Sequence, residues 1–313
     1  MEVQTLEIRA AYTDTLLALA EKNKNIVVLE ADLMSCTNTG GFKKAYPDRF
    51  FNVGIAEANM VGIAAGLSTL GKIPFAATFG CFASRRVFDQ FFLSANYARL
   101  NVKLIGTDPG VTAAFNGGTH MPFEDLALMR VVPGLTVLEP SDARSCAAFV
   151  REMADTYGCV YLRFPRKPVP VLYPENEPFK IGKAKVLKEG KDICFVALGS
   201  LMVNQSLKAA ETLAASGISA GVLDVLTLKP IDAEAILTQA GKVRAVISAE
   251  NAQIAGGLGS AVAEILAENG FKGKFARIGI RDEFGEVGTQ DYLTDRFGLD
   301  VGSLVKKARE LLG

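Results

Sequence analysis

At 313 residues the chain exceeds one ordinary domain, and at roughly 150 residues per domain it has room for about two. Lys and Arg total 34, as do Asp and Glu, so the net charge is zero, which excludes a nucleic-acid binder held by a general basic surface. With 49% hydrophobic and 22% charged residues the chain can fill a core and is not disordered, and its single histidine, His120, excludes a His-rich metal site.

In chain order, a helix pattern at 7–22 precedes the apolar strand IVVLEAD (26–32), and no basic segment leading into an apolar one marks a secretory leader. A helix of small residues is predicted at 57–70, then the strand IPFAATF (73–79), a helix around 84–99 and the strand VKLIGT (102–107). A long Gly-rich loop leads to helix 123–130, strand LTVLEP (135–140), helix 142–156 and strand CVYLRF (159–164). Five of the twelve prolines then fall between Pro165 and Pro178, in FPRKPVPVLYPENEP, which reads as an extended linker. Beyond it, strands at 192–199, 219–226, 244–250 and 274–280 alternate with helices at 201–215, 232–240, 258–269 and 300–312. Apolar strands alternating with amphipathic helices predict parallel sheets covered on both faces. The expectation is an α/β chain of two doubly wound domains: residues 1–165, a Pro-rich linker over 166–180, and a smaller domain over 181–313.

The five cysteines, Cys36, Cys81, Cys146, Cys159 and Cys194, are odd in number and show no C-x-x-C spacing, which reads as reduced thiols in a cytoplasm. The longest charge-poor run, Phe50 to Gly71, holds two Asn and four Gly and would make a poor membrane span. Glu57 is its only charge, in FFNVGIAEANMVGIAAGLSTLG. Small and apolar neighbours predict a helix buried on most sides, where a carboxylate without a hydrogen-bonding partner is costly. The other reading is an exposed N-terminal carboxylate favoured by the helix dipole. Phe79 and Phe82, in TFGCFASRR, are either core aromatics or a stacking platform for a planar ligand. The loop GTDPGVTAAFNGGTHMPFED (106–125) is too long and Gly-rich for a mere connector, and it sets His120 just after a strand, where open α/β sheets bind ligands. AGGLGSAVAE (255–264) contains G-x-G without the third glycine of a dinucleotide fingerprint, and packing at a helix N-terminus explains it.

The string DRFFNVGIAEANMVGIAAGLSTLGKIPFAATFGCF resembles the pyrimidine-binding domain of thiamine-diphosphate transketolases, above all the C-terminal subunit of split, two-chain members. EADL (30–33), GGTH (117–120), VVPGLTVLEPSD (131–142), LTLKPID (226–232) and ENAQIAGGLGSAVAE (250–264) extend the resemblance over nearly the whole chain, in the family's order. The resemblance implies that Glu57 hydrogen-bonds the aminopyrimidine of the cofactor and favours the tautomer that deprotonates its thiazolium carbon. A ketose is then cleaved and its two-carbon unit passed to an aldose, with the cofactor supplying the chemistry and the protein the orientation. It further implies that Phe79 and Phe82 stack on the pyrimidine, that Asp32 and Arg85 lie near the cofactor, that His120 lies near the reacting carbons, and that Arg9 and Arg163 bind the sugar phosphate.

Several positions depart from the family pattern. Asp108 stands where ordinary transketolases use a phosphate-binding histidine, Asn116 where they have an acidic residue, Cys36 where they have a serine, and Arg85 where many have a tyrosine. Deoxyxylulose-phosphate synthases resemble this chain at Asp108 and Arg85. These departures point away from the usual pentose phosphates to a modified ketose: branched, sulfonated or otherwise unusual. The G-D-G motif with which the family holds the diphosphate and Mg²⁺ is absent from the sequence, which implies a partner N-terminal subunit carrying that half and an α2β2 assembly. The competing readings are the β subunit of a 2-oxo acid dehydrogenase E1, separated by its lipoamide acceptor, a non-catalytic scaffolding subunit, and a stand-alone dinucleotide enzyme.

Overall fold

The apolar runs of the first half assemble into one sheet. In a computed structural model, which describes residues 4–313, the strands in chain order are β1 (Thr5–Glu7), β2 (Ile26–Glu30), β3 (Phe50–Asn52), β4 (Ile73–Phe79), β5 (Lys103–Thr107), β6 (Thr136–Leu138) and β7 (Val160–Phe164). They continue with β8 (Pro168–Pro170), β9 (Lys185–Lys188), β10 (Ile193–Ala197), β11 (Ala220–Asp224), β12 (Thr227–Lys229), β13 (Ala245–Gln253) and β14 (Lys274–Ile280). The first sheet has seven strands in the order β12-β6-β7-β5-β4-β2-β3, parallel except for β12.

Every residue of β2, β5 and β7 is buried, as continuous apolar runs require when helices cover both faces. Val28, Phe75, Ile105 and Leu162 share one apolar cluster with Tyr12 and Leu16 of helix Ile8–Lys22 and Phe149 and Met153 of helix Ala143–Asp155. Their neighbours Leu29, Ala76, Leu104 and Tyr161 face the other way, onto Met60, Val61 and Ala64 of helix Glu57–Thr69. The expected helix around 84–99 is instead two wide π turns, Phe82–Arg86 and Phe91–Tyr97, flanking one short α turn. Side chains compete with the backbone ladder here: Ser84 Oγ donates to the Gly80 carbonyl and Asn96 Nδ2 to the Phe91 carbonyl.

The second sheet has five strands in the order β14-β13-β10-β11-β9, with only β9 antiparallel. Helices Gly199–Ala214 and Val301–Leu312 cover one face, and Ala233–Ala240 and Leu258–Glu268 the other. The short strands β1, β3, β8, β9 and β12 and helix Gln290–Arg296 add to the predicted set. Residues 166–180 are tied down rather than loose: β8 pairs antiparallel with β1, Leu172 and Tyr173 donate backbone N–H groups to Asp142, and the Tyr173 hydroxyl donates to Asp224 at 2.6 Å. The second half also enters the first sheet, because β12 pairs with β6. One apolar cluster accordingly runs from Leu29 and Leu104 through Met129 and Leu135 to Leu228, Ile236 and Val262. Among the described residues, no helix is long and apolar enough to cross a membrane.

Candidate active site

Strands β2, β4, β5 and β7 run parallel as neighbours, so their carboxyl ends meet at one edge, where open α/β sheets collect ligand-binding residues. Asp32 follows β2, Phe79 ends β4 with Phe82 just beyond, Asp108 follows β5, and Arg166 follows β7. Asp32 and Asp108 hold left-handed backbone, with φ of 63° and 60°, in a region that non-glycine residues avoid without local support. For Asp32 the support is Asn52, whose Oδ1 accepts the Asp32 backbone N–H at 3.0 Å.

Glu57 opens its helix 1% exposed, so the buried reading holds. Its partner is Arg86, whose Nη1 donates to both carboxylate oxygens at 2.8 Å. The same guanidinium lies over the Phe82 ring, its Cζ 4.1 Å from the centroid. Phe79 and Phe82 have centroids 6.1 Å apart, and the His120 ring stands edge-on to both, at 6.0 and 5.4 Å. Glu57, Arg86, the two phenylalanines and His120 thus form one cluster. Thr119 Oγ1 lies 2.9 Å from His120 Nδ1 and orients the ring.

A second cluster surrounds Asp108. Burial pushes its carboxyl above the ordinary range, against the pull of Arg166, whose Nε sits 2.8 and 2.7 Å from the two carboxylate oxygens. The Arg166 guanidinium also lies 5.0 Å from the Phe79 centroid and faces Cys36. Arg9 donates to the Cys36 carbonyl at 3.2 Å and pairs with Glu7 at 2.9 Å. Each arginine of this cluster is therefore matched by a carboxylate. Asn116 is exposed at the end of a 3₁₀ turn, Gly110–Asn116.

Two expectations are corrected. Arg163, expected at the sugar phosphate, lies inside β7 with no exposed surface. Its guanidinium is bound to Asp125 at 2.7 Å, to Glu139 at 2.7 Å and to the Asn251 carbonyl, and its burial keeps it out of a ligand's reach. Arg166, three residues on and past the strand end, is the arginine at the cleft. Arg85, expected at the cofactor, donates to the Thr119 carbonyl at 2.8 Å and pairs with Glu124 at 2.9 Å, so it braces the GGTH loop, while Arg86 reaches Glu57. Arg166 had a readable signal, since it lies two residues past the end of a buried strand. Arg86 had none, because the π turn that aims it leaves no pattern in the sequence.

The second half holds the loop from behind. Asn251 Oδ1 accepts from Val111 N at 3.0 Å and its Nδ2 donates to the Pro109 carbonyl at 2.8 Å. Glu250 accepts the N–H groups of Leu258 and Gly259 at 2.7 Å, capping the next helix. That close approach needs glycine, because a Cβ on Gly257 would lie 2.0 Å from Glu250 Oε2. AGGLGS is thus a capped helix start. Among the described residues, no group of His, Cys, Asp or Glu side chains is arranged to hold a metal ion.

Comparison with known proteins matches residues 4–171 to the transketolase pyrimidine-binding domain and residues 182–304 to the transketolase C-terminal domain. The chain is 50% identical to the 6-deoxy-6-sulfo-D-fructose transketolase subunit SqwH of Clostridium sp. strain MSTE9, over 97% of this chain and 94% of that protein. It is 37% identical to an apulose-4-phosphate transketolase subunit of Phocaeicola vulgatus, over 97% of each. Among solved structures, a split-gene transketolase described as an inactive β4 tetramer superimposes with a TM-score of 0.91 at 45% identity, over 98% of each chain.

Proposed function

Because this chain belongs to the transketolase family, we propose that it is one subunit of a two-chain transketolase, which moves a two-carbon ketol unit from a ketose to an aldehyde acceptor with thiamine diphosphate. The observation that carries the reading is the Glu57–Arg86–Phe82 stack. A planar cation already lies on an aromatic face while donating hydrogen bonds to a buried carboxylate, so the residues fit a protonated aminopyrimidine. When bound, the cofactor supplies a thiazolium carbon that stabilises the carbanion left by carbon–carbon cleavage. Glu57 holds a proton at the ring nitrogen, and its burial strengthens that bond. Phe79 and Phe82 orient the ring. His120, its Nδ1 fixed by Thr119, offers Nε2 to a substrate hydroxyl.

In this reading the diphosphate and Mg²⁺ are held by a partner N-terminal subunit in an α2β2 assembly, and the lack of a G-D-G motif in these 313 residues agrees with it. The two curated relatives above are themselves named as subunits. Arg9 and Arg166 would bind the donor's terminal anion, with Cys36, Asp108 and Asn116 as further substrate contacts, and Asp32 would lie near the cofactor. One relative is named for 6-deoxy-6-sulfo-D-fructose and the other for apulose-4-phosphate, so the substrate class proposed is a modified ketose with a terminal anion. Five unpaired thiols support a reducing, cytoplasmic compartment.

The test titrates thiamine diphosphate with Mg²⁺ into this chain alone and into its mixture with a candidate partner, followed by ketose screening. Tight binding in the mixture only, with ketol transfer, is the expected result. Glu57→Gln should lower turnover by on the order of 10² or more. Tight binding by the chain alone, acylation of lipoamide, or an unaffected Glu57→Gln would overturn the assignment.

A further inference from the structure

We propose that Arg86 is a built-in stand-in for the aminopyrimidine ring, occupying its seat until the cofactor displaces it. The inference rests on the reading of Glu57 and Phe82 given above. The partner of a buried carboxylate can itself be buried, as Arg163 is between Asp125 and Glu139 with no exposed surface. Arg86 is different: its side chain is 46% exposed and comes in from the solvent side across the Phe82 face, while Glu57 is 1% exposed. A guanidinium and a protonated aminopyrimidine share planarity, positive charge and N–H donors, so both seek the same carboxylate and the same ring face. In this arrangement Nη1 donates to both Glu57 oxygens, so a ring that seeks the same carboxylate and the same Phe82 face competes with Arg86 for them.

Turning is feasible because Arg86 makes no other hydrogen bond or ion pair among the described residues, whereas the adjacent Arg85 is held by Thr119 and Glu124. The device keeps Glu57 paired in the chain before the cofactor arrives, avoiding an isolated buried charge. It also makes only the turned-out fraction competent to bind, which lowers apparent affinity by that fraction.

The experiment uses the assembled two-chain complex with thiamine diphosphate and Mg²⁺, reading association rate by stopped flow and affinity by calorimetry. Arg86→Ala should speed association and tighten the apparent Kd by about ten-fold, the scale of one half-exposed ion pair with a cation–π contact. Arg86→Lys, which keeps charge but not the planar stack, should fall between, and it serves if the alanine variant does not fold. The isolated Arg86→Ala chain should melt several degrees lower, and Glu57→Gln with Arg86→Ala should recover most of that loss. Unchanged or weaker cofactor binding in both variants would overturn the proposal, leaving Arg86 a plain structural partner. A wild-type complex that binds no cofactor would instead overturn the functional reading, and this inference with it.

Discussion

Glu30 ends β2 with a wholly buried carboxyl, and the Thr37 and Thr39 hydroxyls donate to its Oε1 at 2.5 and 2.7 Å. Burial raises its pKa to about 7, against the pull of those two hydroxyls. A carboxyl raised above its unfolded value gives stability that is complete below the unfolded pKa of about 4.5 and lost as pH rises through the folded one. Buried Glu139, Asp224 and Glu250, also near 7, act with the same sign. Glu30→Gln isolates one share: its denaturation free energy should match wild type near pH 4.5 and exceed it above pH 7.5, by up to about 3 kcal/mol. Parallel pH profiles for the two proteins would rule out titration of Glu30. At this scale the sequence was readable where a residue broke its own context. Glu57 is the sole charge in 22 positions, and His120 is unique. It was unreadable where two adjacent arginines share one turn, because only the backbone direction of the π turn aims Arg86 rather than Arg85 at Glu57.

Two helix caps show how much an element's end can carry. Asp300 caps helix Val301–Leu312 alone, accepting from Ser303 N and Oγ. Asp142 caps helix Ala143–Asp155 through Ser145, and its other oxygen accepts from Leu172 N and Tyr173 N at 3.0 and 3.1 Å, fastening the proline-rich crossing. Asp300→Ala should cost about 1 kcal/mol, whereas Asp142→Ala also strands one buried and one part-buried N–H group and should cost about 3 kcal/mol, both read by urea unfolding. Equal costs would mean that the crossing finds other partners. Long elements were legible because periodicity accumulates over a dozen residues, as in helices 57–70 and 300–312. Strands of three or four residues, such as β1, β8, β9 and β12, leave too short a pattern, and the pairing of β12 with β6 depends on contacts that only the fold creates. The proline run reads as extended backbone, but the anchors that hold it lie at Asp142 and Asp224, far away in sequence.

On the scale of the molecule, Arg163 joins the halves: Asp125 and Glu139 lie in the first, and the Asn251 carbonyl in the second. Replacing it by methionine leaves two buried carboxylates without their cation, which should cost about 4 kcal/mol or more. Because one apolar cluster spans both sheets, Arg163→Met should lower a single calorimetric transition rather than split it. Two separated transitions would show that the halves unfold independently. The pairing of β12 with β6 bears finally on how the polypeptide is made. A ribosome delivers all six parallel strands of the first sheet by residue 164, yet the strand that closes its rim begins at residue 227. During those intervening residues, roughly 3 to 13 seconds at 5–20 residues per second, the nascent protein carries an open edge able to pair with a neighbour on the same message. With only three residues in β6, that edge offers a short template, so the risk is confined to a brief window of translation.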